Sequence, residues 1–218
     1  MELKEIKIYR MTHIKNIQHI LKYGITHKNS VNSNPDFITI GDLSLIDNRS
    51  TKKVNIDNGD LFNFNSPSII LGEFIPFYFG IKMPMLYVMQ NGGNFVEKAT
   101  SAKDIVYLAC SMIDVINSVK TYYFADGHAT DGLTSFYDNS EIENLTKIVD
   151  WDSVRAPFWG GQENLNIKRK KQAEFLVRND LEPKNIIGFG CYNENAKQEL
   201  INMGIEESKI KIIPNAYY

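Results

Sequence analysis

The sequence KRKKQAEFLV, residues 168–177, places a glutamate inside a strongly apolar segment. Its second half, AEFLV, predicts a short buried strand, because it is apolar and rich in β-favouring residues. Glu174 is unusual at such a position, since glutamate is seldom buried without a partner. An ordinary explanation is an outward-facing side chain paired with lysine or arginine, and the alternative is a functional carboxylate.

The four cations that precede this strand, Lys168, Arg169, Lys170 and Lys171, have two interpretations. A run of like charges is usually a solvated face. Beside a strand carboxylate, the run is instead suited to hold a polyanionic substrate. The whole chain has 24 Lys+Arg against 26 Asp+Glu, a net charge of −2. This balance excludes a protein that coats nucleic acid indiscriminately, but it permits an enzyme that binds a short strand weakly.

Other segments alternate between strand and helix patterns and predict an α+β fold. Predicted strands are 5–11, 74–80, 85–89, 121–127, 173–177, 186–190 and 209–213, with 104–119 a buried strand that runs into a helix. Predicted helices are 14–23, 139–148 and 193–204, the second capped by Asn139 or Ser140. Residues 26–36 have loop composition, residues 42–60 resist assignment, and Pro76 favours a sheet edge or an extended loop.

Residues near the N-terminus combine a predicted helix start with a histidine. Thr12 is a predicted N-cap of the helix over 14–23. His13 lies where the first strand ends, a position from which its side chain either points into a cleft or is satisfied within the turn.

Two further candidates lie later in the chain. Met85 belongs to an apolar segment that is either core or one wall of a slot for a planar ring, and His128 follows an Asp-Gly turn.

Composition excludes several other classes of protein. The 43% hydrophobic and 23% charged residues are ordinary for a globular protein, and 218 residues suit one domain, which we assign to 1–218. Two distant cysteines predict neither a disulfide framework nor a zinc site, and no histidine spacing indicates a metal. We expect no membrane span and no signal peptide, and a reducing cytoplasm as the compartment.

Taken in order, these segments resemble the DarT family, the DNA ADP-ribosyltransferase toxins of bacterial toxin–antitoxin pairs. The matching elements are YRMTHIKNIQHILKYGI from Tyr9, SLIDNRSTKKV at 44–54, FIPFYFGIKMPMLYV at 74–88, FADGHAT at 124–130 and KRKKQAEFLV at 168–177. The resemblance implies an ADP-ribosyltransferase fold, in which a split antiparallel β-sheet with flanking helices holds NAD⁺ in a cleft between its halves.

The resemblance also implies roles for particular residues. Glu174 matches the catalytic glutamate, and Arg49 matches an arginine that serves both NAD⁺ binding and catalysis. Thr12, His13 and Met85 match the NAD⁺ pocket. His128, together with the basic run 168–171, is assigned to the DNA substrate. Glu174 and Arg49 are the two candidates for removing the proton of the acceptor base.

The implied activity transfers ADP-ribose from NAD⁺ to a base, thymidine first, in single-stranded DNA, without a metal. Alternatives are an ADP-ribosyltransferase that acts on guanosine, RNA or protein, an RNA 2′-phosphotransferase, and an inactive single-strand-binding module. The implied partners are single-stranded DNA and a macrodomain antitoxin encoded nearby. We expect a monomer without membrane attachment.

Overall fold

A computed structural model describes residues 2–60, 62–63, 65–92, 96 and 98–218. Its strands are β1 (Lys7–His13), β2 (Lys53–Asn55), β3 (Ser68–Ile70), β4 (Ile75–Tyr78), β5 (Ile105–Ser111), β6 (Tyr122–Ala125), β7 (Phe136–Tyr137), β8 (Glu174–Val177), β9 (Ile186–Cys191) and β10 (Ile210–Ile212). Its α-helices are α1 (Ile17–Tyr23), α2 (Leu43–Thr51), α3 (Pro84–Asn91), α4 (Met112–Ser118), α5 (Leu145–Ile148), α6 (Trp151–Arg155), α7 (Leu165–Lys171) and α8 (Glu194–Asn202).

Within the described residues, eight strands form one sheet in the order β10-β9-β5-β1-β4-β8-β6-β7, and β2 pairs with β3 apart from it. Neighbouring strands in the large sheet are antiparallel except β9 and β10, which are parallel. Helices lie around this sheet, so the predicted α+β class is confirmed.

The large sheet is nearly divided in its middle. β1 pairs with β5 along its whole length, and β4 pairs likewise with β8. Between β1 and β4, by contrast, the register joins Tyr9 to Tyr78 alone among the described residues. We call this line the seam. It separates the half formed by β10-β9-β5-β1 from the half formed by β4-β8-β6-β7, which agrees with the predicted split sheet.

Pro76 explains part of the seam. Proline has no backbone N–H to donate to a neighbouring strand, so it is found at sheet edges. The carbonyl oxygen of Pro76 accepts a hydrogen bond at 2.9 Å from the Arg10 guanidinium, and therefore a β1 side chain takes the place of a backbone donor. The expectation of a sheet edge or an extended loop at Pro76 is wrong, because Pro76 belongs to β4, an interior strand of the sheet. The proline is accommodated there because its side of β4 faces the seam, where backbone pairing with β1 is nearly absent.

The predicted strand at 85–89 is wrong, because these residues form helix α3. A short apolar run does not distinguish a strand from a buried helix by periodicity. Pro84 occupies the first turn of α3, a position that proline favours because its missing N–H has no partner there in any case. Leu86 and Met89, three residues apart, form the buried face of the helix.

Two predicted N-caps are also wrong. Thr12 lies inside β1, and the side chain of His13 instead caps the short turn that leads into α1, since its Nδ1 accepts from the Lys15 amide at 3.2 Å. The helical segment after residue 138 is capped by Asp138 and not by Asn139 or Ser140. Each cap lies within one or two residues of its predicted place.

Other local predictions are confirmed. Residues 104–119 form β5 followed directly by α4, and the helix over 193–204 is α8, capped by Asn193. The unassigned stretch 42–60 contains α2, whose first turn is capped by Asp42, and β2. This helix brings Arg49 toward the seam.

Gly24, which ends α1, provides a test of the fold. Its φ of 82° is left-handed, and a Cβ at this position would overlap the carbonyl oxygen of Leu181. Gly24→Ala is therefore expected to lower the free energy of unfolding by more than about 1 kcal/mol in urea denaturation. Gly132→Ala is the matched control, because a Cβ there has no neighbour within 4 Å. Equal stabilities of the two variants would contradict the expectation.

Candidate active site at the seam

A cavity of about 160 Å³ opens along the seam. Its floor comes from β1 and β4, and its walls come from the segment before α2, from α2 itself and from α3. Its lining residues include Arg10, Met11, Thr12, Thr39, Asp42, Leu45, Arg49, Pro76, Tyr78, Met85 and His128. Thr12 and Asn16 support one wall: the Asn16 amide donates to Thr12 Oγ1 at 3.0 Å and exchanges two 2.9 Å hydrogen bonds with the Ile38 backbone.

Glu174 begins β8 and is 0% exposed. It is not among the residues that line the cavity, but it lies directly behind two of them, because Arg49 is hydrogen-bonded to it and Tyr78 is its partner in the β4–β8 register. All four residues of β8 are buried, because the strand is central and both of its faces are covered. Glu174 Oε1 accepts from the Ala129 amide at 3.0 Å. Arg49 Nη1 donates to both carboxylate oxygens, at 3.1 and 2.8 Å. These donors fix the carboxylate in one orientation, which excludes the solvent-exposed interpretation of Glu174.

Arg49 is the cationic partner, and only part of its guanidinium is used. Its Nη2 is buried and has no hydrogen-bond partner among the described residues. A buried donor without an acceptor costs about 1–3 kcal/mol, so such a group in a cavity wall is suited to bind a ligand oxygen. Arg49 therefore both holds Glu174 and offers a free donor at the seam.

Tyr78 and Arg10 complete the cluster, and neither was predicted as a site residue. Tyr78 lies opposite Glu174 in the β4–β8 register. Burial raises the pKa of its hydroxyl, and the Glu174 charge raises it further, so Tyr78 remains a hydrogen-bond donor at neutral pH. Burial lowers the pKa of Arg10 to about 10, which still leaves it cationic. The alternation Ile6-Ile8-Arg10 is the signal that places Arg10 on an inward face.

The structure brings most of the other predicted residues to this place. Thr12, Met85 and His128 line the cavity together with Arg49. His13 is not among the residues that line it. Its pKa is lowered by burial and influenced by Asp104, Lys15 and Glu199, which lie outside the Glu174 cluster. A ligand bound in the cavity therefore contacts His13 only if part of the ligand extends beyond the cavity.

A wider groove of about 690 Å³ continues from the cavity. Leu45, Met85 and His128 line both spaces, so the two are contiguous. The remaining lining residues of the groove include Val88, Thr130, Asp131, Leu133, Trp159, Leu165, Asn166, Lys168, Arg169 and Gln172. It is mainly apolar, with polar groups and cations at its border, as expected of a ligand site.

The basic run is not the solvated face that a run of like charges usually forms. Arg169 donates to Asp126 at 3.0 Å, Lys170 pairs with Asp150 at 2.8 Å, and Lys171 donates to the Val154 carbonyl at 2.8 Å. Arg169 and Lys171 are 9% and 3% exposed. The acidic segment 126–152 thus neutralises two of the cations. Arg169 and Lys171 are thus already held by protein groups, and Lys168 is the exposed member of the run. The assignment of the four cations to a DNA backbone stays a prediction.

His128 gives a pH-dependent prediction. Burial is the largest influence on the His128 imidazole, and it lowers the pKa. The charges of Glu174 and Asp131 raise this pKa, and those of Arg49 and Lys52 lower it, so the smaller influences oppose one another. We expect the His128 ring to titrate below about 6.5, the ordinary value for histidine, when followed by NMR and assigned with His128→Gln. The unfolded chain then binds more protons than the folded one just below that pH, so stability falls as pH falls through this window. Titration at or above the ordinary value would contradict this.

The described part of the chain has no group of three or more His, Cys, Asp or Glu side chains arranged to hold a metal ion. Across the same residues, every helix is too short or too polar to cross a bilayer.

Two known proteins are similar to this chain in sequence. The DNA ADP-ribosyl transferase of Thermus sp. (strain 2.9) is 27% identical over 198 residues, which are 90% of this chain and 86% of that protein. A DNA ADP-ribosyl transferase–DNA ADP-ribosyl glycohydrolase fusion protein of Thermosipho africanus is 26% identical over 210 residues, 96% of this chain and 48% of the fusion.

Solved structures with the same fold include two of Thermus sp. 2.9 DarT. The complex with ADP-ribosylated ssDNA matches with a TM-score of 0.79 at 24% identity, over 98% of this chain and 96% of that one. The complex with NAD⁺ matches with a TM-score of 0.75 at 24% identity, over 98% of both chains. The family model described as "ssDNA thymidine ADP-ribosyltransferase, DarT" matches residues 9–218. With the split sheet and the buried Arg49–Glu174 pair at its seam, this chain therefore belongs to the DarT family.

Proposed function

We propose that the protein transfers ADP-ribose from NAD⁺ to a thymine base in single-stranded DNA and releases nicotinamide. One observation carries the proposal: a fully buried carboxylate, Glu174, is held by Arg49 and the Ala129 amide at a cavity that continues into an open groove. Membership of the DarT family supports it. We further infer that residues 1–218 act as one domain, because both halves of the sheet contribute to the cavity.

The residues at the seam fit NAD⁺. The 160 Å³ cavity is smaller than the sites of whole drug-sized ligands, so it suits one end of a dinucleotide, with the rest along the opening. Thr12, Met85 and Arg49 would hold the enclosed end, and His13 the part beyond the cavity. Arg49 Nη2, buried without a partner, is suited to bind an oxygen of the ligand. NAD⁺ supplies the ADP-ribosyl group, with nicotinamide as the leaving group.

Glu174 performs the main electrostatic task in this proposal. When the bond between nicotinamide and the ribose carbon breaks, positive charge develops on the sugar. A carboxylate already fixed by Arg49 and the Ala129 amide stabilises that charge without reorganisation, which is worth about 3 kcal/mol for one group. The ribose carbon then bonds to a ring nitrogen of the base.

The acceptor nitrogen of thymine carries a proton that must leave. The guanidinium of Arg49 is a hydrogen-bond donor and has no acceptor site. The carboxylate of Glu174 accepts hydrogen bonds and protons, so we assign this step to Glu174. Arg49 then orients Glu174 and binds the ligand.

The proposed acceptor is single-stranded DNA, because a paired and stacked base does not reach a buried carboxylate without leaving the duplex. His128 lies where the groove meets the cavity and is suited to contact the base. The proposal extends to a toxin of the cytoplasm, acting as a monomer without membrane attachment. Since the Thermosipho relative is fused to a DNA ADP-ribosyl glycohydrolase, we propose a macrodomain antitoxin of that activity as the partner.

An acceptor panel tests the proposal. The protein is incubated with NAD⁺ and short single-stranded DNA, duplex DNA, guanosine-only DNA and RNA, and the modified base is located by mass spectrometry. We expect ADP-ribose on thymidine in single strands and stoichiometric nicotinamide release. Modification confined to guanosine, RNA or the protein itself would overturn the choice of substrate, and the absence of NAD⁺ turnover would indicate an inactive binding module.

A further inference from the structure

Three aromatic side chains form a compact cluster at the border of the groove. Tyr87 from α3 lies 5.8 Å from Trp159 and 5.2 Å from Tyr218, measured between ring centroids, and Trp159 lies 6.3 Å from Tyr218. The interplanar angles are 76°, 89° and 86°, so the rings stand nearly perpendicular to one another. Edge-to-face contacts of this kind stabilise the arrangement of the rings. We call these three residues the aromatic cluster.

Hydrogen bonds hold the aromatic cluster in place without any ligand. Trp159 Nε1 donates to the Tyr218 hydroxyl at 2.7 Å, and that hydroxyl donates to the Lys82 carbonyl at 3.0 Å. The backbone of Tyr218 exchanges two hydrogen bonds with the Gln90 side chain, at 3.0 and 3.1 Å. Side chains ordered in advance lose little entropy when a ligand binds. The aromatic cluster is therefore pre-organised.

Despite these bonds, the aromatic cluster is open to solvent. Tyr87 is 46% exposed and Tyr218 is 39% exposed. Leu133 and Leu165, which line the adjoining groove, are 81% and 56% exposed. Contiguous apolar surface with a polar border marks a binding site more often than an ordinary surface.

Two cations accompany the rings. Lys168 Nζ lies over one face of Trp159, 5.5 Å from the ring centroid, and Lys82 Nζ lies over one face of Tyr218, 5.1 Å from its centroid. Neither ammonium group forms an ion pair with a carboxylate within the described residues. Lys82 has a φ of 56°, which is strained for a residue other than glycine, and its amide donates to the Tyr107 hydroxyl at 3.0 Å. Such strain is typical of functional sites, where the surrounding structure maintains it.

The aromatic cluster is continuous with the proposed active site. Trp159 and Lys168 line the same groove as His128 and Met85, and the last two also line the cavity at the seam. A strand whose target base lies at the cavity therefore passes along the groove toward the cluster. Aromatic faces beside unpaired ammonium groups are the chemistry that binds unpaired bases and their phosphates.

We propose that the aromatic cluster is a subsite on which a base flanking the modified thymidine stacks, with Lys168 and Lys82 on the neighbouring phosphates. This inference rests on the proposed function and adds a binding site for the strand outside the cavity at the seam. Because every base has a π-face, stacking here favours single strands over duplexes and tolerates any flanking base. The subsite therefore contributes to affinity for the strand and not to the choice of the modified base.

Kinetics with Trp159→Leu and Tyr87→Leu test the subsite. Leucine retains apolar bulk but removes the ring face, so KM for an oligonucleotide with flanking bases is expected to rise roughly tenfold. KM for NAD⁺ should stay unchanged. Phe158→Leu is the matched control, because Phe158 is 67% exposed, adjacent in sequence and outside the cluster, and its KM values should equal those of the wild type. Wild-type KM for DNA in both cluster variants, or an equal rise in KM for NAD⁺, would overturn the subsite.

Fluorescence supplies a readout independent of turnover. The chain has two tryptophans, so Trp151→Phe leaves Trp159 as the reporter. In a Glu174→Gln background, a thymidine oligonucleotide should quench Trp159 emission, and replacing its flanking nucleotides by abasic sites should weaken the quenching. Equal quenching by both oligonucleotides would refute stacking. If wild-type protein modifies no thymidine strand at all, the proposed function fails; normal modification with unaffected cluster variants refutes the subsite alone.

Discussion

Replacing Glu174 with glutamine is expected to lower the rate of ADP-ribose transfer to single-stranded thymidine by about 100- to 1,000-fold. Glutamine keeps the size of the side chain, and its one oxygen, in the place of Oε1, still accepts from Arg49 and the Ala129 amide. Its NH2 group does not accept the second hydrogen bond that Arg49 donates to Oε2. It loses the negative charge that opposes the positive charge on the ribose, and its neutral amide does not take up the thymine proton. The measurement is the initial rate of label transfer from NAD⁺ to an oligonucleotide.

A second glutamate provides the control for that result. Glu73 is exposed and pairs with Arg178 at 3.2 Å, so Glu73→Gln makes the same chemical change at the surface. We expect transfer by Glu73→Gln to equal that of the wild type. A Glu174→Gln enzyme that retains its fold, as judged by its thermal unfolding, and still transfers at the normal rate would exclude Glu174 from the chemistry.

Replacing Arg49 with alanine is expected to affect both stability and transfer. Glu174 would remain fully buried with the Ala129 amide as its donor but without its cation. Breaking a buried ion pair by removing one partner costs about 3–5 kcal/mol, and because the Arg49 side chain is 16% exposed we expect about 3 kcal/mol. Transfer should also fall, since both the orientation of Glu174 and the free Nη2 donor are lost. Urea denaturation and initial rates measure the two effects.

The double variant Arg49→Ala/Glu174→Ala separates pairing from packing. With both charges removed, no buried carboxylate is left uncompensated, so the double variant should be less destabilised than the sum of the single variants. Arg178→Ala, which breaks the exposed pair with Glu73, should lower stability by at most about 1 kcal/mol. Additive effects at Arg49 and Glu174 would show that the two residues do not act as a pair.

Local patterns predicted much of the fold. The apolar run of β5 and the helix pattern of α8 lie within their own residues, so the sequence suffices to predict them. The 85–89 run failed because its Met, Leu, Tyr and Val side chains suit either element, and its burial is set by contacts with distant residues. Only Pro84, a helix-start signal, indicated the correct answer.

The candidate site was less accessible to local reasoning. Arg49 and Glu174 are 125 positions apart, and no periodicity predicts their contact. The family resemblance supplied that pair, whereas Tyr78 and Arg10 emerged only once the strands were placed. The ion pairs of the basic run were not predicted for the same reason, because its acidic partners Asp126 and Asp150 approach it only in the folded chain.

The seam also bears on how this sheet avoids association with other chains. A sheet ordinarily has unpaired backbone N–H and C=O groups only along its two edge strands, where another chain is able to add a strand. Here the sides of β1 and β4 that face each other also have unpaired backbone groups, inside the molecule, because the two strands pair at Tyr9 and Tyr78 only among the described residues. Pro76 offers no N–H at this place, and Arg10 occupies its carbonyl. The backbone freed by incomplete pairing therefore faces an enclosed space too small for a foreign strand but accessible to a small ligand.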